Sequence, residues 1–325
     1  MYAVQISKFG APEDMVVLVE IPEPAPPSPG EVTVQLEYAP IHPADIMLIR
    51  GIYGKLPKLP STLGMEGVGR VVAIGEGVDS LGIGDRVFTP IFTPCWCERL
   101  TIPAAGLFPA PDDADLPQLS MSRINPLTAH LLLTEFAPLQ AGDWVIQNAA
   151  NSAAGRAVIA LAKARGLRTV NVVRREGLDD ELTGLGGDVV LLDGADLASR
   201  VAATTNGARV ALGIDAVAGD ATLSMSTCIA GGGVLVSYGA MSLKPNVVSP
   251  RQVIFNDVTI RGFWLDRWLA KTASAQVAEL EKEMAGLVSS GALRAPIETT
   301  YPLTSPKDAV VNAMISKGKV LFKAA

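Results

Sequence analysis

Apolar and polar positions divide the chain into two regions of different pattern. In the first hundred residues, short β-rich runs are separated by turn-forming segments such as PEPAPPSPG and GEGVDSLGIGD. Strands are predicted at residues 16–21, 31–39, 67–74 and 85–88, with a short helix near residues 43–50. This pattern is typical of a compact β-barrel or sandwich.

Beyond residue 112, apolar strand-like runs alternate with stretches of helical length. Helices are predicted at residues 127–135 and 155–165, and strands at residues 144–147, 169–173, 188–192, 211–215 and 233–238. Strands that alternate with helices at this spacing indicate an α/β domain with a doubly wound parallel sheet.

The C-terminal region departs from that alternation. An amphipathic helix is predicted at residues 274–289, followed by PIETTYPL, a short helix at residues 306–316 and KGKVLF. We therefore expect the chain to return to its first domain. The predicted division is 1–122 for the first part of that domain, 123–264 for the α/β domain and 265–325 for the return.

Composition narrows the class of protein. With 325 residues, 49% of them hydrophobic and 18% charged, the chain can bury sizeable cores. Its net charge of −6 gives no general attraction to nucleic acid or to anionic lipid. The N-terminus has no signal-peptide pattern, and no apolar run is long enough to span a membrane. Its cysteines, Cys95, Cys97 and Cys228, are too few for a disulfide framework, so we predict a cytoplasmic protein.

A turn of small residues follows the strand predicted at 144–147, in the segment QNAANSAAG. The positions of a G-x-G-x-x-G fingerprint are held there by Ala150, Ser152 and Gly155. A close backbone approach and free amides at a helix start suit a dinucleotide pyrophosphate. An ordinary βα turn rich in small residues is the alternative that this motif alone leaves open.

Arg174 and Arg175 end the next predicted strand, about 20 residues beyond the turn. A site for NAD usually places an acidic residue there to bind the ribose 2′-hydroxyl. Paired guanidinium groups instead suit a 2′-phosphate, which accepts charge-assisted hydrogen bonds. The pattern predicts NADPH as cofactor, and a solvated surface pair is the alternative.

Several longer motifs resemble one family. They are HPADIMLIRGIYG, GMEGVGRVVAIG, INPLTAH, QNAANSAAGRAVIALAKARGLRTVNVVRR, SYGAMS and GFWLDRW. Over nearly the whole chain they resemble the medium-chain dehydrogenases/reductases, and most of all the trans-2-enoyl thioester reductases of mitochondrial fatty acid synthesis type. The resemblance implies a GroES-like, mostly β catalytic domain with an inserted Rossmann domain.

The resemblance also implies site residues. The family's cofactor contacts fall on Asn125, Asn151, Ser152, Ala153, Ala154, Gly155, Arg174, Arg175, Tyr238, Gly239, Ala240, Met241, Phe263, Trp264, Leu265 and Lys319. Asn125, Trp264 and Trp268 are the implied substrate-pocket residues, although ordinary core packing is the alternative for the two tryptophans.

The family's catalytic tyrosine corresponds to Tyr53, in a segment where Gly54 replaces the usual proline. Reduction of a carbon–carbon double bond conjugated to a carbonyl needs a donor for the carbonyl oxygen and a proton for the α carbon. A phenol is protonated at neutral pH and can donate. The alternative is an aromatic side chain that only packs on the β domain.

A zinc site is not predicted, because zinc needs about three thiolate, imidazole or carboxylate ligands. The ligand positions of zinc relatives hold Pro40 or a neighbour and Met65, and Cys95 and Cys97 are too close together for a structural site. His42 stands in no ligand spacing with a cysteine. His130 lies on an apolar predicted helix and is interpreted as a packed or surface histidine.

Together these features predict an NADPH-dependent reductase of α,β-unsaturated carbonyl compounds, with 2-enoyl thioesters of CoA or acyl carrier protein as the first substrates. A quinone or enone reductase and a non-catalytic NADPH-binding sensor are the alternatives. A homodimer is also predicted, because relatives often pair through Rossmann edge strands. The candidate edge segments are residues 231–238 and 257–263.

Overall fold

A computed structural model describes residues 1–111 and 115–324. The chain forms two compact units. The first contains residues 1–124 and 273–325, and the second contains residues 125–272. The second unit is therefore an insertion between two parts of the first.

The first unit is built mainly of strands. Its strands are β1 (Tyr2–Ile6), β2 (Val17–Glu20), β3 (Glu31–Pro40), β4 (Ser61–Thr62), β5 (Val68–Ile74), β6 (Arg86–Phe88), β7 (Arg99–Pro103), β14 (Ile297–Pro302) and β15 (Lys319–Lys323). Its helices are α1 (Pro12–Met15), α2 (Pro43–Ile49), α3 (Leu116–Leu119), α10 (Ser274–Ser289) and α11 (Pro306–Ile315). The strands form a small sheet in the order β2-β1-β4 and a larger one in the order β14-β15-β3-β5-β6, in which β7 also pairs with β3.

The long strand β3 lies at the centre of this unit because alternate side chains are apolar and buried. Val32, Val34 and Leu36 have no exposed surface. The C-terminal strand β15 pairs with β3, with Phe322 opposite Ala39, and so belongs to the first unit. Phe322 contacts the indole of Trp96 edge-on, with ring centroids 5.0 Å apart.

The second unit alternates strands and helices. Its strands are β8 (Trp144–Gln147), β9 (Arg168–Val173), β10 (Val189–Leu192), β11 (Val210–Asp215), β12 (Val234–Ser237) and β13 (Thr259–Gly262). Its helices are α4 (Ile124–Thr134, which begins one residue before the boundary), α5 (Ala153–Ala164), α6 (Asp179–Gly184), α7 (Leu197–Thr204), α8 (Asp220–Thr227) and α9 (Leu265–Leu269), with a π-helical segment at Arg251–Phe255.

All neighbouring strands of this sheet are parallel, in the order β10-β9-β8-β11-β12-β13. The prediction of a doubly wound parallel sheet is confirmed. Because the strands are parallel, their carboxyl ends meet at one edge of the sheet, where this fold binds ligands. The strands are buried on both faces: Val145 and Ile146 are consecutive on β8 and so point to opposite faces, and neither has exposed surface.

One prediction about this sheet is wrong. Residues 231–238 were a candidate edge segment, but β12 lies inside the sheet between β11 and β13. The apolar character of β12 comes from burial between two neighbours. The other candidate segment, residues 257–263, does contain the edge strand β13.

Among the described residues, no helix is long and apolar enough to cross a membrane.

Candidate active site

In the turn between β8 and α5, backbone atoms of nearby residues pack closely together. Ser152 caps α5, its side chain accepting a hydrogen bond from the Gly155 amide at 3.1 Å. A Cβ atom on Gly155 would lie 2.6 Å from the Ala150 carbonyl oxygen and 2.8 Å from that of Ala149. Glycine is required there, as at the last position of a dinucleotide fingerprint. The first amides of the helix, such as that of Ala154, lack intrahelical acceptors and carry the positive end of the helix dipole.

A second segment packs against this turn from the end of β12. The Tyr238 hydroxyl is hydrogen-bonded to the Ser152 side chain, and burial raises the pKa of Tyr238 above its ordinary value. A Cβ atom on Gly239 would lie 2.6 Å from the Ala216 carbonyl oxygen, so this segment also needs glycine. Met241, whose amide bonds the same carbonyl at 3.2 Å, is half exposed. The structure therefore brings together the predicted cofactor segments around Ser152 and Tyr238.

A buried polar network that the sequence analysis missed fixes the ends of β8 and β11. Asp215 has no exposed surface and accepts hydrogen bonds from Asn148 Nδ2 at 2.6 Å and from the Thr222 hydroxyl at 2.6 Å. Asn148 Oδ1 in turn accepts from the Ala216 amide at 2.7 Å. A buried carboxylate satisfied in this way holds the turns rigid. The signal available in the sequence was an acidic residue that ends an apolar strand.

Arg174 and Arg175 come directly after β9, and both are exposed. The next residues form a turn in which Gly177 has a φ of +77°. Parallel pairing of β8 with β9 places this arginine pair at the same edge of the sheet as the Ser152 turn. Exposed guanidinium groups at this place can bind a phosphate without displacing any described ion pair.

Asn125 stands in the first turn of α4, and its side-chain Nδ2 is buried without a hydrogen-bond partner among the described residues. A buried donor without a partner costs stability unless something accepts from it. Together with the Gly155 turn and the free amides of α5, this donor fits a dinucleotide.

The residues after β13 form the other predicted group. Phe263 packs edge-on against Phe136, with ring centroids 5.8 Å apart. Trp264 occupies the N-cap position of α9, and Leu265 is buried. Trp264 and Trp268 lie four residues apart and both are partly exposed. Trp264 directly precedes α9 in an extended conformation, whereas Trp268 lies within the helix.

In the first unit, Lys319 belongs to a cluster of ionisable groups. Its Nζ lies 3.0 Å from His42 Nδ1, and His42 Nε2 lies 2.7 Å from Glu66 Oε1. The other carboxylate oxygen of Glu66 accepts from the amides of Arg123 and Ile124, both at 3.1 Å. His42 is 3% exposed and Glu66 is 1% exposed. Of this cluster, only Lys319 was a predicted site residue.

A further carboxylate of the cluster comes from α2, where Asp45 accepts a hydrogen bond from the His42 amide at 2.7 Å. Burial raises the pKa of Asp45 to about 7, and the charge of Lys319 partly opposes that shift. Burial lowers the pKa of Lys319 to about 8, although the negative charges of Glu66 and Asp45 act to raise it. Burial, followed by the charge of Lys319, lowers the pKa of His42.

Tyr53 lies in the loop after α2 and is partly exposed. The turn before it depends on Gly51, which has a φ of +75°. A Cβ atom there would lie 2.9 Å from Cβ of Phe9, so the loop also packs closely at this point.

Comparisons with known proteins identify the family to which the chain belongs. Residues 28–108 match the family model described as "Alcohol dehydrogenase GroES-like domain", and residues 153–283 match "Zinc-binding dehydrogenase". The mitochondrial enoyl-[acyl-carrier-protein] reductases of Rattus norvegicus and Homo sapiens are 37% and 36% identical to this chain, over 88% of it and 78% of their own lengths.

Two solved structures are similar over the whole chain. A protein of Bacillus thuringiensis described as an NADPH:quinone reductase has a TM-score of 0.91 and 30% identity, covering 100% of this chain and 99% of its own. The Etr1p complex with NADP and crotonyl-CoA has a TM-score of 0.88 and 25% identity, covering 99% of each chain. The chain belongs to the medium-chain dehydrogenase/reductase superfamily, and within it to the family of these enoyl-[acyl-carrier-protein] reductases.

The second family description implies zinc, but the residues present do not fit that ion. Among the described residues, no group of three or more His, Cys, Asp or Glu side chains could hold a metal. The two ring nitrogens of His42 are engaged by Lys319 and Glu66. The Cys95 thiol donates to the Thr93 carbonyl at 2.8 Å, and burial raises its pKa, which disfavours the thiolate that zinc binds.

Proposed function

We propose that this protein is an NADPH-dependent reductase of the carbon–carbon double bond in α,β-unsaturated carbonyl compounds, above all 2-enoyl thioesters. The observation that carries the proposal is the combination of the Gly155 turn with the arginine pair after β9, in a chain 37% identical to an enoyl-[acyl-carrier-protein] reductase. The turn fits a dinucleotide, and the arginine pair suits its 2′-phosphate.

The Rossmann residues bind and orient the cofactor in this proposal. Amides at the start of α5, from Ala153 onwards, hold the pyrophosphate, and Arg174 and Arg175 hold the 2′-phosphate. Asn125 donates to the nicotinamide half from Nδ2, which has no partner within the described part of the chain. NADPH, when bound, supplies the hydride.

Tyr53 acts on the substrate. Hydride addition to the β carbon breaks the carbon–carbon π bond and moves an electron pair towards the carbonyl oxygen. The Tyr53 phenol donates a hydrogen bond to that oxygen, which stabilises the enolate, and the α carbon then takes a proton from water. Trp264, directly before α9, and Trp268, within it, line the path of the acyl chain.

Replacement of Tyr53 by phenylalanine tests this proposal. Turnover of crotonyl-CoA should fall by roughly two or more powers of ten, because the donor is lost while the ring is kept. The dissociation constant of NADPH, followed by its fluorescence, should stay nearly unchanged. Tyr2→Phe, at a half-exposed phenol, is the control. Native turnover in Tyr53→Phe would leave the tyrosine with a packing role only.

A quinone reductase activity is the second candidate, because the Bacillus thuringiensis protein described by that name is 30% identical over the whole chain. NADPH oxidation with crotonyl-CoA and with a naphthoquinone as alternative acceptors distinguishes the two. A larger kcat/KM for the quinone would assign the protein to the second class. Tight NADPH binding without turnover of any acceptor would indicate a sensor.

Three finer features are part of the proposal. The thioester is carried by CoA or by acyl carrier protein, and parallel assays with both carriers decide between them. The protein pairs as a homodimer through β13. Its location is cytoplasmic, although the relatives are named mitochondrial, and cell fractionation tests this.

A further inference from the structure

Among the described residues, the ammonium group of Lys319 has one hydrogen-bond partner, an imidazole. Nζ of Lys319 lies 3.0 Å from Nδ1 of His42, a residue 277 positions earlier in the chain. An ammonium group has three donors and no acceptor. The Nδ1 atom must therefore carry a lone pair and accept the hydrogen bond.

The opposite ring nitrogen completes the assignment. Nε2 of His42 lies 2.7 Å from Glu66 Oε1, and an ionised carboxylate only accepts. The proton of the neutral ring is therefore on Nε2, where it is donated to Glu66. This contact fixes the tautomer that leaves Nδ1 free to accept from Lys319.

We propose that His42 is a positioning residue, which accepts a hydrogen bond from Lys319 at Nδ1 and so holds its ammonium group in one orientation for the cofactor. This inference rests on the proposed function, since it assumes that Lys319 contacts NADPH. With one of its donors committed to His42, the ammonium keeps two for oxygen atoms of the ligand.

The backbone around Lys319 supports the same role. Gly318 precedes it, and a Cβ atom there would lie 2.9 Å from the Pro296 carbonyl oxygen. The Lys319 amide donates to that same oxygen at 2.7 Å. The main chain is therefore fixed at the start of β15, and the His42 contact fixes the far end of a side chain that otherwise has several rotamers.

The charged groups that face His42 favour its neutral form. Lys319 on β15 faces Nδ1, Glu66 before β5 faces Nε2, and Asp45 on α2 bonds the His42 amide. A proton on Nδ1 would place an N–H group against the ammonium. Burial and the charge of Lys319 lower the pKa of His42, so the ring keeps its acceptor at neutral pH.

Three substitutions of His42 separate positioning from packing. His42→Asn keeps an acceptor near the place of Nδ1, His42→Gln keeps a donor near the place of Nε2, and His42→Leu keeps neither. We expect the dissociation constant of NADPH to rise roughly tenfold in His42→Leu and His42→Gln, as for loss of a charged hydrogen bond, and to stay within about threefold in His42→Asn.

The same substitutions in a Lys319→Met background complete the test. If His42 acts through Lys319, His42→Gln should cause no further loss of NADPH affinity in that background. Equal affinities in all three His42 variants, or losses that add to that of Lys319→Met, would overturn the inference. Where His42→Leu does not fold, the Asn and Gln pair carries the comparison. Failure of the native protein to bind NADPH would instead contradict the proposed function.

Discussion

Arg174 and Arg175 are exposed where β9 ends, so their charges can be removed without disturbing a core. In Arg174→Ala with Arg175→Ala, the dissociation constant of NADPH should rise roughly 10- to 150-fold, because contacts from charged donors to a phosphate are lost. Affinity for NADH, which lacks this phosphate, should change little. Fluorescence titration with both cofactors measures the two effects.

The matched control for the arginine pair is Arg168→Ala, at the other end of β9, where the side chain pairs with Asp188. This variant should bind NADPH as the native protein does. Equal affinity of the native protein for NADH and NADPH would contradict a 2′-phosphate site.

Asp45 gives a prediction for stability against pH. Burial raises its pKa to about 7 in the folded protein, whereas the unfolded chain has a value of about 3.9. Its stabilising contribution is therefore complete below about pH 4 and is lost as the pH rises through about 7. The Asp45→Asn variant has no carboxyl group to ionise and so does not lose this contribution. The Tm of the variant minus that of the native protein should therefore increase between about pH 5 and pH 8.

Thermal unfolding at both pH values measures the effect, with the exposed Asp79→Asn as control. Since one pKa unit corresponds to about 1.4 kcal/mol, the relative gain should not exceed about 3 kcal/mol. A constant Tm difference across this range would show that Asp45 stays ionised in the folded protein.

The cluster around His42 also shows what one sequence cannot reveal about a site. His42 and Glu66 are 24 positions apart, and His42 and Lys319 are 277 apart, so no local spacing connects them. His42 and His130 could therefore be interpreted only from the residues next to them in the sequence. The resemblance implied Lys319, but only the fold shows the imidazole that accepts from it.

The connection between β8 and α5 was easier to predict, because its pattern is local. The strand at residues 144–147 was predicted at its observed bounds, and the turn residues were named. What the pattern could not show is which residue of this turn has a left-handed backbone, since that residue lies one position before the fingerprint. Ala149 adopts a φ of +48°, a conformation that glycine adopts without steric cost.

Two substitutions in this turn should have opposite effects. Ala149→Gly should raise the free energy of unfolding by roughly 0.5–1 kcal/mol, because relief of the left-handed conformation exceeds the entropy cost of glycine. Gly155→Ala should lower it by roughly 1–3 kcal/mol, because the new methyl group meets two carbonyl oxygens. Urea unfolding measures both.

Gly184→Ala is the control for this pair, because a Cβ atom there meets nothing within 4 Å. It should leave stability unchanged or raise it slightly. A Gly155→Ala variant as stable as the native protein would mean that the turn can open to accept the methyl group.

The order of the strands in the sheet could not be predicted from the sequence, for a related reason. Periodicity predicted the strand at residues 233–238, observed as Val234–Ser237, but not its position between β11 and β13. An interior strand and a covered edge strand are both apolar. The order depends on contacts between distant segments, which no local pattern encodes.

At the scale of the whole molecule, charge is divided unevenly between the two units. The Rossmann unit has equal numbers of basic and acidic side chains, so the net charge of −6 falls on the other unit. An acidic carrier protein would be repelled by the surface of that unit. If the physiological carrier is an acidic acyl carrier protein, we therefore expect it to dock on the neutral Rossmann unit.

The last prediction concerns assembly through the edge strand β13. Its only sheet neighbour among the described strands is β12, so one row of backbone groups is left unpaired. The segment immediately before it exposes Ile254 and Phe255, which are 67% and 79% accessible. An unpaired edge beside exposed apolar side chains favours association, and pairing of β13 with its copy across a two-fold axis would cover both.

Light scattering should therefore show a dimer for the native protein. Phe255→Glu places a charge in the apolar segment and should weaken the dimer at least roughly tenfold. Ile260→Pro should also weaken the dimer, because it removes a backbone donor from the free edge of β13. The amides of Thr259 and Phe263 donate towards β12, so the Ile260 amide points to the free edge. Ile83→Glu, at a side chain 74% exposed on the other unit, should leave the dimer intact. A monomeric native protein, or a dimer that survives both substitutions, would place the interface elsewhere or exclude it.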